Sequence, residues 1–313
     1  MQISSFMLIS KVMKQFIMKI AILLSAVCIV DILVGKAFST IYSHTTGGNA
    51  GRNNYICDKT TEDILVFGSS RALHHYNPAI LEDSLGFSCY NCGQGGNGVI
   101  LHYGRLHLIK SRYRPQIIIF DVVYDFDLAE GDNHKYLGTL KPFYDCDGIS
   151  EIFEDVDPKE KWKMRSKMYR YNSFFLSVLT DYLHPLHTDN KGFRPLEGPM
   201  DTMRIKKGYE SLPKKKPQFD SLKIAYLNKF VSEADGVKLI ISVSPSWYGI
   251  PPERLAPVRD ICKKHNIPFI DFSNNPKYVH NNAYFKDGSH LNACGADEFT
   301  RDLTKEIKQL VKP

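Results

Sequence analysis

The sequence predicts an α/β protein built on a doubly wound parallel sheet, and three observations lead to that fold class. Short apolar runs such as 64–67 and 116–123 have the composition of strands that are buried on both faces. Segments with helical periodicity separate these runs, and a strand, helix, strand order implies parallel pairing with right-handed crossovers. Polar residues follow several of the runs, where ligands bind in sheets of this kind.

The expected elements alternate along the chain. Residues 64–67 form the first strand, and Asn77-Pro78 then gives an N-cap and a first helical residue for a helix that ends before Gly86. The first half of the sheet continues with a strand at 87–91, a glycine-rich loop at 93–98, a helix at 99–109 and a strand at 116–123. The second half has helices at 221–234, 252–265 and 293–311 and strands at 237–243 and 267–272.

The alternation stops between about residues 127 and 219. This stretch is rich in aromatic residues, prolines and lysines, and it has few aliphatic runs. It is too long for an ordinary loop of a compact domain, so we expect an inserted cap or a substrate-facing excursion. The domain as a whole is expected to cover residues 61–313.

The N-terminal part predicts a membrane segment. Lys11, Lys14 and Lys19 precede the apolar residues 20–30, a pattern that keeps the N-terminus in the cytoplasm and exports the chain beyond the apolar run. We therefore expect a cytoplasmic segment at 1–17, a signal anchor or signal peptide at 18–36, and a linker at 37–60 that is rich in small and polar residues. An uncleaved anchor, which we favour, holds the domain on the periplasmic side of the membrane. Cleavage near Gly35-Lys36-Ala37 would release it as a secreted protein.

Composition excludes several classes of function. The 40 basic and 34 acidic residues give a net charge of +6, but no basic stripe with interleaved aromatics accompanies it, so no nucleic-acid partner is expected. Six cysteines lie outside the apolar run, a number that permits disulfides, and Cys89-x-x-Cys92 lacks the second pair that a zinc site needs. Neither a metal nor a cofactor is expected, because the histidines 74, 75, 102 and 107 lack carboxylates at ligand spacing. The 93–98 loop also lacks the dinucleotide-binding order of glycines.

A candidate active site combines residues from both ends of the domain. Ser70 follows the first strand, and Asp287-Gly288-Ser289-His290 precedes the last helix. A serine nucleophile needs a base, and the base needs an orienting group. The spacing of Asp287 and His290 lets the carboxylate hold one imidazole nitrogen while the other faces Ser70. The backbone N–H groups of Ser70 and Gly93 are expected to bind a developing oxyanion.

These residues resemble the blocks of the SGNH, or GDSL-like, hydrolase superfamily, whose members have a flavodoxin-like sheet. Gly68-Ser69-Ser70 occupies the first block with Ser70 in the nucleophile position, Gly93 matches the second, and Asp287 with His290 matches the fourth. The third block offers Asp121-Val122-Val123-Tyr124-Asp125 and has no asparagine as a further oxyanion donor. Asn97 and Tyr124 are candidates to replace it. Arg71 and Tyr124 are candidates for substrate binding.

The altered first block, the membrane segment and the large insertion resemble the members that act in envelope polysaccharide O-acetylation. The resemblance implies an exported serine esterase or O-acyltransferase, whose substrate is an acylated glycan or another small ester, with acetyl as the expected acyl group. One alternative is a catalytically inactive domain of the same fold that binds glycan or serves as a scaffold. A further alternative is a lysophospholipase, which suits the membrane segment.

Overall fold

A computed structural model describes residues 2–186, 190–200 and 217–311, with side chains for those between 11 and 310. Its centre is a sheet of five parallel strands in the spatial order β2-β1-β3-β4-β5. The strands are β1 (Ile64–Gly68), β2 (Cys89–Asn91), β3 (Ile117–Asp121), β4 (Lys238–Val243) and β5 (Phe269–Asp271). This topology confirms the doubly wound parallel sheet, with the strand order of flavodoxin-like folds.

Two hydrophobic cores lie on the two faces of the sheet, because successive residues of a strand point to opposite sides. Leu65 and Phe67 of β1 belong to one core, and Ile64 and Val66 belong to the other. The first core packs against α5 (Val99–Lys110) and α10 (Ser221–Glu233); the second packs against α4 (Pro78–Leu85) and α12 (Ala293–Val311). Both faces are covered, which explains why the central strands read as continuous apolar runs.

The helix boundaries follow the expected signals. The side chain of Asn77 accepts a hydrogen bond from the N–H of Ala79 at the start of α4, and Gly86 ends the helix with a φ of 76°. The predicted helix at 252–265 is divided into a 3-10 turn (Pro252–Leu255) and α11 (Ala256–His265). A short helix that was not predicted, α3 (Ser70–His75), directly follows β1.

The described part of the expected insertion is folded against the domain. It contains α6 (Tyr124–Asp127), a 3-10 helix (His134–Phe143), α7 (Ile149–Val156), α8 (Glu160–Lys163), a 3-10 turn (Met168–Tyr171) and α9 (Phe175–Leu183). Leu140, Ile152 and Phe153 are buried in the first core. Residues 187–189 and 201–216 of the insertion lie outside the described residues.

The N-terminal part differs from the expectation of a membrane segment followed by a linker. A single helix, α1 (Gln2–His44), continues well past residue 36, and α2 (Gly48–Asn54) with a π-turn (Tyr55–Lys59) follows it. Tyr42 and Asn53 are buried, so residues 37–60 do not form a flexible connection. The small and polar residues of 37–60 suggested a linker, but in the structure they allow this segment to pack closely against the rest of the domain.

The stretch of α1 from Lys11 onward is the helix among the described residues that is long and apolar enough to cross a membrane. Its large apolar side chains from Val12 to Leu33 are exposed, whereas Phe38 and Tyr42 pack against aromatic residues of the insertion. All seven cysteines belong to the described residues, and each is a free thiol.

Candidate active site

Ser70 lies at the carboxyl edge of the sheet because it follows the end of β1, where Gly68 allows a tight turn into α3. Gly68 has a φ of 140°, and a Cβ atom there would lie 2.6 Å from the carbonyl oxygen of Asp121, so the tight turn requires glycine. Ser69 caps α3 by accepting a hydrogen bond from the N–H of Arg71. Ser70 is the first residue of α3 and is partly exposed. Of the two serines, Ser69 therefore has a structural role and Ser70 faces the solvent.

The loop before α12 brings Asp287 and His290 to the same edge. Asp287 Oδ1 accepts hydrogen bonds from the backbone N–H groups of Ser289, at 2.8 Å, and of His290, at 2.9 Å, which fixes the turn. Both carboxylate oxygens lie 3.0 Å from Nδ1 of His290, and Nε2 of His290 lies 2.8 Å from Oγ of Ser70. With a proton on Nδ1, Nε2 is free to accept the hydroxyl proton of Ser70. The structure thus brings these three predicted residues together.

The environment keeps the Asp287 carboxylate ionised. Burial acts to raise the pKa of this carboxyl, but the hydrogen bond and positive charge of His290, together with the two backbone N–H groups, outweigh it and hold the pKa below its ordinary value. An ionised Asp287 can orient the imidazole of His290 and stabilise the imidazolium that forms when it takes a proton.

His75 supports the loop that carries His290. Its Nε2 accepts a hydrogen bond of 2.9 Å from the backbone N–H of Leu291, the residue after His290. The ring of His74 packs edge-on against the ring of His290, with 5.5 Å between centroids. These contacts limit the movement of His290. From the sequence, His74 and His75 were expected only on the surface or in packing roles, and nothing in their spacing indicated a contact with residue 290.

A second, buried set of serine, histidine and aspartate lies behind the first. Ser244 Oγ lies 3.0 Å from Nδ1 of His75 and donates to Oδ2 of Asp121 at 3.1 Å. Tyr76 donates to Oδ1 of Asp121 at 2.7 Å, and Nε of Arg71 donates to Ser244 at 3.0 Å. Asp121, His75 and Ser244 are completely buried. Burial raises the pKa of Asp121, with the charge of Arg71 opposing it, and burial lowers the pKa of His75 well below its ordinary value.

Gly93, the predicted oxyanion donor, already uses its N–H group in a hydrogen bond. Its N–H donates to Oδ1 of Asn91 at 2.9 Å, and its backbone is packed against that of Leu73. Gly95 is the glycine of this loop that lies next to Ser70, because a Cβ atom there would lie 3.9 Å from Cβ of Ser70. Among the residues that the structure describes, the N–H groups of Ser70 and Gly95 have no hydrogen-bond acceptor.

Arg52 from α2 holds this loop in place. Its guanidinium donates to the carbonyl oxygens of Asn91, at 2.7 Å, and Gly93, at 2.8 Å, and to the side chain of Gln94 at 3.3 Å. The backbone N–H of Gln94 in turn donates to the carbonyl oxygen of Gly68 at 2.9 Å. The segment expected to be a linker therefore contributes directly to the support of the site.

An open cleft of about 540 Å³ leads to Ser70. Its walls include Arg71, Tyr124, Tyr248 and Arg254, whereas Asn97 is not among the lining residues. The side-chain amide of Asn97 donates to the carbonyl oxygen of Gly95, so it turns back onto its own loop.

Tyr124 and Arg71 face the cleft in different ways. The hydroxyl of Tyr124 exchanges hydrogen bonds with the backbone of Gln218, and the guanidinium of Arg254 lies 5.1 Å from the centre of its ring. Tyr124 therefore forms a wall, and its hydroxyl is engaged elsewhere. Arg71 is buried beside Ser70, and one of its terminal nitrogens has no partner within the described residues.

One cluster in the described residues has the composition of a metal site, and it lies outside the cleft. It consists of His134, Asp157 and Glu160. The ammonium group of Lys163 forms an ion pair with Glu160, so one carboxylate of this cluster already has a cationic partner.

Comparisons with known proteins show what this fold is similar to. No family model matches the chain, and no curated protein matches it. One solved structure is 11% identical, with a TM-score of 0.40 over 80% of this chain and 98% of its own. A gut microbial diltiazem-metabolizing enzyme is 10% identical, with a TM-score of 0.34 over 77% of this chain. The chain covers 47% of the length of that enzyme. Similarities at this level are limited to a general α/β fold and carry no argument about activity.

Proposed function

We propose that this protein is an exported serine esterase or O-acyltransferase that acts on short O-acyl groups, with acetyl groups of an envelope glycan as the favoured substrate. The observation that carries the proposal is the continuous hydrogen-bonded series from Asp287 through His290 to Ser70 at the base of an open cleft. Nucleophile, base and orienting carboxylate need to be in this order for acyl transfer.

In the proposed reaction Ser70 Oγ attacks the ester carbonyl carbon while its proton passes to Nε2 of His290. The resulting imidazolium is stabilised by Asp287 and then gives the proton to the departing alcohol. The N–H groups of Ser70 and Gly95 are the candidates that remain for binding the oxyanion. Water or a sugar hydroxyl, deprotonated by His290, then attacks the acyl-serine and regenerates the enzyme.

The walls of the cleft favour a polar substrate. Arg71 and Arg254 are positively charged, and Ser246 and Tyr248 add hydroxyl groups. These side chains suit the oxygens of a carbohydrate. The preference for an envelope glycan rests on the resemblance to the O-acetylation proteins and on the N-terminal apolar helix, which could hold the domain at a membrane.

The proposal is tested with the full chain in detergent and with 4-nitrophenyl acetate as substrate. We expect Ser70→Ala and His290→Ala to lower the rate of acetate release by about 10³-fold or more, because each removes a step that has no substitute. Ser232→Ala, which changes an exposed serine of α10 outside the cleft, is the matched control and is expected to keep its activity. Unchanged rates in both site variants would disprove the proposed reaction. Adding a sugar acceptor then distinguishes transfer from hydrolysis by the acetylated product.

A catalytically inactive glycan-binding domain is the second candidate, and one observation favours it. The N–H of Gly93 is already bonded and Asn97 is turned away, so the oxyanion side has fewer donors than the resemblance implies. This candidate predicts that the protein binds an acetylated oligosaccharide equally well before and after Ser70→Ala, and that neither form releases acetate.

A further inference from the structure

The last turns of the apolar part of α1 are fixed to a short segment of the insertion. Asp31 accepts hydrogen bonds from the hydroxyl of Ser166 at 2.5 Å and from the backbone N–H groups of Lys167, at 2.8 Å, and Met168, at 3.1 Å. One turn later Gly35 packs so closely that a Cβ atom would lie 2.3 Å from Cβ of Lys167. The position of residues 166–168 along α1 is therefore set by direct contacts.

The apolar part of α1 between Lys19 and Gly35 has no spare length beyond the thickness of a bilayer. Residues 20–34 have a length of about 21 Å at a rise of 1.5 Å per residue. The hydrocarbon core of a bilayer is about 30 Å thick. At the cytoplasmic end of this part of α1, the long side chain of Lys19 can reach the membrane surface. At the outer end, the helix has no additional apolar residues that could raise Asp31 above the membrane surface. If α1 spans the membrane, Asp31 and the segment bonded to it must lie at the outer surface.

The side chains of that segment suit the headgroup layer. Trp162 is 62% exposed and Met168 is 41% exposed. Trp162 stacks under the guanidinium of Arg165 at 3.9 Å. Tryptophan prefers this layer because its ring is apolar and its N–H is polar.

The net positive charge of the segment also suits contact with anionic lipid headgroups. Residues 159–168 contain five basic residues and one acidic residue: Lys159, Lys161, Lys163, Arg165, Lys167 and Glu160. Three of the lysines form ion pairs with Glu154, Glu160 and Asp145, whereas Lys159 and Arg165 have no acidic partner among the described residues. Unpaired cations beside an exposed tryptophan are attracted to anionic lipid headgroups.

We propose that residues 159–168 are a second membrane contact, which sits in the outer headgroup layer around the end of α1. It rests on the anchored form of the proposed function and adds to it a fixed orientation of the domain. A protein held by one helix and a flexible linker can rotate over the membrane. A protein held by α1 and this segment presents its cleft in one direction.

The test uses the full chain in vesicles of phosphatidylcholine and phosphatidylglycerol and does not depend on activity. The chain contains two tryptophans, so Trp247→Phe leaves Trp162 as the single fluorophore and Trp162→Phe leaves Trp247. We expect lipids brominated near the headgroup to remove most of the Trp162 emission and aqueous iodide to quench it weakly. Trp247, which donates to Asn282 in the body of the domain, is expected to be insensitive to brominated lipid.

Two results would overturn the proposal. Strong iodide quenching of Trp162 without quenching by brominated lipid would show that the segment faces water. Removal of the protein from vesicles by alkaline carbonate would show that α1 does not anchor it. Either result leaves the acetate-release test of Ser70 and His290 unaffected, so failure of the membrane contact is distinguishable from failure of the proposed reaction.

Discussion

Two sets of serine, histidine and aspartate lie side by side at the carboxyl edge of the sheet, and their hydrogen bonds differ. In the cleft set, Asp287 bonds to Nδ1 of His290 and leaves Nε2 for Ser70. In the buried set, Asp121 bonds directly to the hydroxyl of Ser244. The hydrogen bonds thus run from aspartate through histidine to serine in the cleft set, and from histidine through serine to aspartate in the buried set.

The tautomer of His75 shows why the buried set is unsuited to activating a serine. The N–H of Leu291 donates to Nε2 of His75, so Nδ1 carries the proton and donates it to Ser244. His75 therefore cannot accept a proton from Ser244 through that contact. Ser244 is also completely buried, which excludes a substrate. The order of the hydrogen bonds and access to solvent, more than the residue types, distinguish a candidate reaction site from a structural network.

The largest difference between the two sets is expected when each aspartate is replaced by asparagine. Asp287→Asn should lower kcat by about 10²- to 10⁴-fold, because the amide no longer stabilises the imidazolium of His290 and can favour the wrong tautomer. Asp121→Asn should change kcat by less than about tenfold, since Asp121 contacts neither Ser70 nor His290. Steady-state hydrolysis of 4-nitrophenyl acetate measures both. Equal losses in the two variants would remove the distinction between the sets.

The next effect concerns stability. Ser244→Ala leaves the Nε of Arg71, the Nδ1–H of His75 and Oδ2 of Asp121 without their shared partner in a buried site. We expect the free energy of unfolding to fall by about 2–4 kcal/mol. The side chain of Ser246 forms no hydrogen bond with a described residue, so Ser246→Ala should change the free energy of unfolding by less than about 0.5 kcal/mol. Urea unfolding followed by circular dichroism measures the difference, and equal stabilities would show that the buried network does not support the fold.

A smaller effect is expected from the arginine that holds the loop opposite Ser70. Arg52→Met removes the bonds to the carbonyl oxygens of Asn91 and Gly93, so Gly95 is less well positioned and kcat should fall about tenfold with little change in KM. Arg52→Lys should restore part of the loss. Arg112→Met is the matched control, because Arg112 bonds to Cys57 and Thr60 on the same N-terminal segment and away from the loop. A change in KM alone would contradict a positioning role.

The smallest expected effect is a change in pH dependence. Burial lowers the pKa of His75 from its ordinary value of 6.5, so the native state excludes a proton that the unfolded chain binds below that pH. Its contribution to stability is complete above pH 6.5 and is lost as the pH falls, by about 1.4 kcal/mol per pH unit. In His75→Gln this component is absent, so the stability gap to the wild type should narrow by about 1 kcal/mol between pH 6.5 and 5.5. Unfolding curves of both proteins at the two pH values measure this gap. A gap that stays the same at both would show that His75 does not cause the pH dependence.

The sequence predicted the sheet and the cleft set because both depend on local patterns. Buried parallel strands are apolar throughout, and Asp287 and His290 are three residues apart in one loop. The buried set was not predicted, because His75, Asp121 and Ser244 are far apart in sequence and meet only when β1, β3 and β4 pair. Arg52 was missed for a similar reason. Its segment is rich in glycine and asparagine, which suggest a linker by composition, and its packing depends on α1 and the insertion.

The central claim is that Ser70, alone among the serines around the cleft, is activated as a nucleophile. The most direct measurement is the reaction of the full chain with a fluorophosphonate probe, followed by identification of the modified peptide by mass spectrometry. We expect a single adduct on Ser70, which is lost in His290→Ala and unchanged in Ser244→Ala. Absence of any adduct, or an adduct on another serine, would contradict the claim.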